Sequence, residues 1–374
     1  MTDGAASRSP GTLFRPALED LVPYEPGKPA EEVQRELGLD RVVKLASNEG
    51  PFGPFPAARE ALERGIAELN RYPDGGFHRL RERLASRHGV RPEEIAPAAG
   101  ADGVVLYLSL AFLDPGDEIV CGWPSFPSYV LDALKLGAGA VRVPLRESRY
   151  DLEALLGAIT ERTKLVYVCN PNNPTGSMVP RAEVETYFER VPDHVLTVLD
   201  EAYFEYIDDP DYPDGIEEHF KAGHRVVVLR TFSKLYGLAG LRIGYGVAPA
   251  DVVTEIRKVQ NAFDVTQPAQ DAALASIGET AEIVRRREAN TAGRTQLERG
   301  LAELGLATAP SVANFVYVEL GRDARPVFEA LLAEGVIVRP MHGFGAPEAL
   351  RISVGTVEEN VICLEALARV LPAL

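Results

Sequence analysis

The sequence predicts an α/β protein with one large domain and a smaller one, and three observations carry that prediction. The first is size: 374 residues, 46% of them hydrophobic, exceed what a single small core needs. The second is alternation. From about Pro97 onward, apolar strand-like runs alternate with helical patterns. The third is the kind of strand. Leu165–Cys169, Val195–Leu199 and Val226–Leu229 are unbroken apolar runs, as expected of strands covered on both faces in a parallel sheet.

Taken in chain order, Met1–Gly11 reads as a disordered tip, and the Pro-rich Leu21–Pro29 as an extended arm. Glu31–Leu37 is a short helix and Val42–Ala46 a strand. Gly and Pro forbid regular structure over Ser47–Pro56. Pro56–Asn70 is helical, with Ala58, Leu62, Ile66 and Leu69 on one face. Gly103–Phe112 is apolar and long enough for a buried helix, and Glu118–Cys121 is a short strand. Leu241–Val247 reads as an edge strand that could run antiparallel, and Val253–Asn261 as a helix. A long charged helix, Ala281–Leu304, then leads into a mixed segment. There, strand Asn314–Leu320, helix Pro326–Glu334, strands Val336–Val338 and Leu350–Val354, and helix Val357–Val370 form the second domain. The division expected is 1–45 as arm and part of the small domain, 46–264 as the large domain, and 265–374 as the small domain.

Composition excludes several classes. The net charge of −16 disfavours non-specific binding to nucleic acid or an anionic membrane surface. No run of about 18 apolar residues exists to span a bilayer. The polar start, Met1–Pro10, lacks the apolar stretch of a secretory signal. Three scattered cysteines and no CxxC suggest neither disulfides nor zinc, and six scattered histidines give no metal-ligand spacing. A soluble, cytoplasmic protein without a metal is expected.

The chemistry-bearing residues cluster just past strand ends, where α/β sheets bind ligands. Ser233 and Lys234 follow Val226–Leu229; the lysine can attack a carbonyl if burial or a nearby cation lowers its pKa. Asp200 closes Val195–Leu199 and needs a cationic partner there, or else caps a helix. Asn173 sits in Asn170–Gly176, a loop stiffened by two prolines. Gly100, Ala101 and Asp102 open the apolar helix, and the free N–H groups of a helix start suit a phosphate. Arg242 can grip a phosphate bidentately. Arg351, inside an apolar strand, needs an anion or a structural partner.

In this order, the motifs NPNNPTG (Asn170–Gly176), DEAY (Asp200–Tyr203), TFSK (Thr231–Lys234), GLAGLRIGYG (Gly237–Gly246) and LRISVGT (Leu350–Thr356) resemble the fold-type I aminotransferases that use pyridoxal 5'-phosphate (PLP). The resemblance covers almost the whole chain. PYEPGKP (Pro23–Pro29), LASNE (Leu45–Glu49), RYPD (Arg71–Asp74) and GFG (Gly343–Gly345) look most like the branch that acts on histidinol phosphate. One departure stands out. The family commonly has NENP where this chain has Asn48-Glu49-Gly50-Pro51, which leaves that loop's shape and its effect on substrate choice open.

The resemblance implies a mostly parallel seven-stranded sheet in the large domain and a smaller α/β domain. It implies that Lys234 holds PLP as a Schiff base and moves the substrate proton, with Asp200 beside the ring nitrogen. Asn173 and Tyr203 would serve the ring oxygen, and Phe126 would stack on the ring. Ala101, Asp102, Thr231, Ser233 and Arg242 would hold the phosphate, joined by Tyr72 from a partner subunit in a homodimer with shared sites. Tyr24, Asn48, Arg339 and Arg351 would bind the substrate. The implied reactants are an amino donor, L-histidinol phosphate, and a 2-oxo acid, 2-oxoglutarate. An aromatic amino-acid aminotransferase or a threonine-phosphate decarboxylase would use the same lysine.

Overall fold

The computed structural model describes residues 13–19, 21–22 and 27–373. The expected disordered tip and residues 23–26 of the Pro-rich arm, Tyr24 included, lie outside them. Thirteen strands are present among the described residues: β1 (Val43–Lys44), β2 (Ile95–Ala98), β3 (Glu118–Trp123), β4 (Gly139–Pro144), β5 (Thr163–Cys169), β6 (Leu196–Asp200), β7 (Val226–Thr231), β8 (Gly244–Val247), β9 (Ala307–Thr308), β10 (Phe315–Glu319), β11 (Val336–Ile337), β12 (Arg339–Pro340) and β13 (Ala349–Ser353).

Seven of them form one sheet in the order β2-β8-β7-β6-β5-β3-β4. All neighbours from β7 to β4 pair in parallel, while β8 runs antiparallel to both β7 and β2. The parallel strands β5, β6 and β7 are buried at almost every position, which is why each reads as a continuous apolar run. Helices Ala101–Phe112 and Ala250–Val259 pack together beside β2 and β8. The consequence for function is directional. The C-terminal ends of β2, β3, β5, β6 and β7 and the start of β8 meet at one edge of the sheet, because Gly244 pairs with both Ala98 and Thr231.

A second sheet, β12-β13-β10-β9, and the parallel pair β1-β11 belong to a separate apolar cluster. It is built from Val43, Leu45, Leu297, Leu301, Val316, Ile352 and Leu367 among others. The 24-residue helix Thr280–Glu303 touches both clusters, with Ile283 in the first and Leu297 and Leu301 in the second. Helix Gln267–Ser276 packs on helix Pro56–Gly65 and belongs to the first cluster.

Three sequence expectations change. Leu241–Val247 is not an edge: β8 covers only Gly244–Val247 and lies between β2 and β7. Its glycines mask an interior strand, and the true edges are β2, which contains Pro97, and the half-exposed β4. The helix from Pro56 ends at Gly65 and continues as a 3-10 turn, Ile66–Glu68. Its expected apolar face is covered at Ala58 but exposed at Ile66 (65%) and Leu69 (60%). The strand expected at Val42–Ala46 pairs over only two residues, β1.

Candidate active site

Lys234 sits three residues past β7, and burial is the main reason its amine falls from 10.5 to about 8. The cations Arg351 and Arg242 push the same way, while Glu49 and Asp200 oppose them. The ammonium lies 5.6 Å from the ring centre of Tyr203. The segment before it is pinned by its own hydroxyls. Thr231 Oγ1 accepts from the Ser233 N–H at 3.1 Å, and Thr231 donates to the Ile243 carbonyl at 3.3 Å.

Asp200 ends β6 and is buried, which raises its carboxyl above the ordinary range. Two donors oppose that rise: Tyr129 Oη donates to Oδ2 at 2.5 Å, and the Ala202 N–H donates to Oδ1 at 3.0 Å. Phe126 precedes the helix Pro127–Lys135 that carries Tyr129, and the two rings meet edge to face at 5.5 Å.

Helix Ala101–Phe112 begins at the same sheet edge. Gly100 holds φ +85°, and a Cβ there would lie 2.8 Å from Arg242 Nη2. Gly244 is pressed equally hard: a Cβ would lie 2.4 Å from the Ala101 nitrogen. Two glycines thus let the helix start, β8 and the Arg242 guanidinium converge. Arg242 Nη1 donates to Ser233 Oγ at 3.4 Å. The Arg242 guanidinium, the Ser233 hydroxyl and the start of the helix at Ala101 are thus brought to one edge of the sheet, with Thr231 and Asp102 on the same two segments.

From the second sheet, β13 sends Arg351 into the same region. It donates to Asn173 Oδ1 and, at 2.9 Å, to the Ala46 carbonyl. Asn48 adopts the left-handed conformation, φ 54°. Its amide donates to Tyr203 Oη at 2.9 Å, and its N–H donates to Ser353 Oγ at 2.8 Å. Burial raises the Tyr203 hydroxyl, against the pull of Arg351. Arg339 pairs in register with Arg351 across β12 and β13 and is half-buried. Two predicted residues are not brought in. Tyr72 is 81% exposed and stacks on Phe263 at 4.5 Å, outside the cluster. Tyr24 lies outside the described residues.

The class I and II aminotransferase family matches residues 40–367. The chain belongs to that family. Curated relatives agree over nearly full length. The histidinol-phosphate aminotransferase of Moorella thermoacetica is 44% identical over 96% of this chain and 92% of its own. That of Carboxydothermus hydrogenoformans is 44% identical over 97% of this chain and 100% of its own. Among solved structures, the Sinorhizobium meliloti histidinol-phosphate aminotransferase, in complex with PLP, superposes with a TM-score of 0.87. It has 29% identity and covers 98% of this chain and 100% of its own. The Thermus thermophilus aspartate aminotransferase with maleate gives 0.82 at 30% identity, covering 91% and 94%. This aminotransferase therefore has the fold-type I architecture expected from its strand-end motifs.

Sequence reasoning missed three buried polar residues near the candidate site, two bonded to its members and one, Arg230, on the opposite face of the sheet. Tyr129 was not singled out, and its helix, Pro127–Lys135, went unread. Asn314, whose amide donates to the Asn48 carbonyl at 3.0 Å, gave no signal. Arg230 lay inside an apolar strand, and that was the available clue.

Proposed function

We propose that this chain transfers the amino group of L-histidinol phosphate to 2-oxoglutarate, giving imidazole acetol phosphate and L-glutamate, with PLP as cofactor. One observation carries the reading. A lysine with its amine lowered to about 8, a buried carboxylate ending the adjacent strand, and Arg242 bonded to Ser233 beside a helix start lie at one edge of the sheet. The donor set fits PLP: an amine for its aldehyde, an acid for its ring nitrogen, and N–H and guanidinium groups for its phosphate.

When bound, PLP supplies an aldehyde that takes the amino group and a ring that withdraws electrons from the neighbouring carbon. The chain's residues do the rest. Lys234 Nζ accepts the proton from the donor Cα, a task suited to an amine partly neutral near pH 7. Asp200, held by two donors, keeps a proton on the ring nitrogen. Asn173 and Tyr203 orient the ring oxygen, and Phe126 covers the ring face. Ala101, Asp102, Thr231, Ser233 and Arg242 anchor the phosphate. Arg351, with Arg339, Asn48 and Tyr24, takes the substrate's anionic end.

The same proposal includes a homodimer in which Tyr72 completes the partner's phosphate site. Its support is a surface groove of about 1240 Å³ lined by Leu69, Tyr72, Phe263 and Leu241, with large apolar groups left exposed. Mixed dimers of Lys234→Ala and Tyr72→Ala chains should regain one working site; no recovery on mixing would refute shared sites. We also propose the chain division 1–45, 46–264 and 265–374; its support is that Val43 and Leu45 share the second apolar cluster with residues from Leu297 to Val370, while Val265 and helix Gln267–Ser276 pack in the first cluster and tie the third part to the second. A cytoplasmic location is supported by the free, buried Cys121, Cys169 and Cys363. Among the described residues no helix is long and apolar enough to cross a membrane.

A panel of amino donors with 2-oxoglutarate tests the substrate. Histidinol phosphate should exceed phenylalanine in kcat/KM by at least about a hundredfold, as expected when cationic groups placed for a phosphate meet a substrate whose anion is a smaller, singly charged carboxylate held closer to the amine. Equal use of the two would favour the aromatic aminotransferase reading. Carbon dioxide release from threonine phosphate would favour the decarboxylase.

A further inference from the structure

The carboxylate of Asp200 does not orient itself. It ends a strand, its side chain has two rotatable bonds, and its two oxygens must present free lone pairs in a fixed direction to serve a ring nitrogen. Each oxygen already has one donor: Ala202 N–H on Oδ1 at 3.0 Å and Tyr129 Oη on Oδ2 at 2.5 Å. A carboxylate has about four acceptor positions. Two donors on different oxygens therefore fix its plane and leave one position on each for a ligand.

The backbone donor follows from the chain's path, but the hydroxyl must be aimed. Tyr129 is fully buried, and its ring lies flat on Tyr167 at 4.3 Å and 11°. Phe126 meets it edge to face at 5.5 Å and 77°. The turn before the helix is pinned in its own right. Tyr150 donates to Ser125 Oγ at 2.8 Å, Ser125 donates to Asn172 Oδ1 at 2.9 Å, and Asn172 Nδ2 donates to the Pro124 carbonyl at 3.2 Å. That chain of bonds joins the turn carrying Phe126 to the loop carrying Asn173. One rigid segment therefore presents both the aromatic face at Phe126 and the hydroxyl that holds Asp200.

We propose that Tyr129 is a positioning residue for amino transfer, acting through its hydrogen bond to Asp200 to keep that carboxylate charged and aimed at the cofactor's ring nitrogen. The inference rests on the function proposed above and assigns a further residue to it. The charged groups facing Asp200 are Lys234, which favours its ionised form, and Asp102, which disfavours it. Neither forms a direct bond to it, so the hydroxyl is the only side-chain donor in contact among the described residues.

Tyr129→Phe removes one oxygen and leaves the stacked ring. Tyr167→Phe is the control: it removes an equally buried hydroxyl from the ring beside it, one not bonded to Asp200. In the cofactor-free protein, the infrared band of the protonated Asp200 carboxyl should persist about one pH unit higher in Tyr129→Phe, because a donor to the charged form is gone. In the PLP-loaded protein, the proton on the lysine-linked nitrogen should be held to higher pH, since a less positive ring binds that proton more tightly. The visible absorbance titration reads this shift. The value of kcat should fall about ten- to a hundredfold, the range for a lost bond to a charged group, with KM changed far less. Adding Tyr129→Phe to Asp200→Asn should cost nothing further in kcat.

Tyr167→Phe should leave both titrations at wild-type values. The proposal is overturned if Tyr129→Phe leaves both titrations unmoved, if Tyr167→Phe reproduces the shifts, or if the loss in the double variant is additive. A fall in melting temperature with unmoved titrations would make Tyr129 purely structural, which also overturns it. The infrared arm needs no cofactor, so it separates failure of this inference from failure of the PLP reading.

Discussion

Asp200 and Glu201 are adjacent carboxylates at the end of one strand, both nearly inaccessible, and they meet opposite treatment. Strand alternation turns them to opposite faces. On the far face Glu201 meets Arg230, with Nη2 to Oε2 at 2.5 Å and Nε donating to Oε2 at 2.8 Å, and it accepts the Gly215 N–H at 2.8 Å. Arg230 in turn reaches Asp214 at 3.1 Å and lies 3.3 Å from the ring centre of Phe204. On the near face Asp200 has two neutral donors, and among the described residues no basic side chain forms an ion pair with it. Glu201 has its counter-charge built in, so it is a fixture. Asp200 has no such ion pair among the described residues; two donors and the more distant Lys234 offset its burial only in part, and a cation arriving beside it would complete the compensation. The pair also links the strands that lead to the two key residues, since Arg230 lies on β7, four positions before Lys234, and Glu201 directly follows Asp200.

The contrast can be broken from either side. The largest effect is expected at Asp200→Ala, with turnover down by several orders of magnitude and the folded state kept, because the electron-withdrawing ring loses its counter-charge. A rate within about tenfold of wild type would remove Asp200 from its role. Glu201→Ala should do the reverse: it leaves the buried Arg230 with Asp214 alone as counter-charge and should cost up to about 3–5 kcal/mol of stability in urea unfolding. Activity per folded molecule should be much less affected. If the two variants behave alike, the distinction between the faces fails.

A smaller effect sharpens the comparison through pH. The amine of Lys234 is lowered from 10.5 to about 8. Below pH 8 it is protonated and a poor nucleophile; between 8 and 10.5 it is free where an ordinary lysine is not. The rate at which cofactor-free protein captures PLP should therefore climb with pH and level off near 8. A rise continuing to 10.5 would mean an unperturbed amine. Linkage has the corresponding sign. The native state resists protonating this group, so its contribution to stability falls as pH drops from 10.5 through 8.

The near face was more legible in the sequence than the far one, for physical reasons. Lys234, Asp200 and Asn173 each follow a strand buried on both sides, and such strands appear as uninterrupted apolar runs whose ends are easy to place. Glu201–Arg230 hid in the same runs, because two charges that neutralise each other across neighbouring strands have no spacing that marks them. Strand β4 was missed because its half-exposed GAVRVP pattern is weak, and β2 because Pro97 argues against a strand anywhere but an edge. Tyr129 was hidden for a different reason: its role depends on which carboxylate its hydroxyl meets, and sequence separation of 71 residues carries no such information. Tyr72 lies outside the cluster, exposed and stacked on Phe263, so the role proposed for it would require a second copy.

The most direct test of the account is chemical. The protein is loaded with PLP, reduced with borohydride, digested, and searched by mass spectrometry for the modified lysine. The account predicts a single modified site, Lys234, and loss of both the label and amino transfer in Lys234→Ala. Label on any other lysine, or amino transfer surviving in that variant, would contradict it.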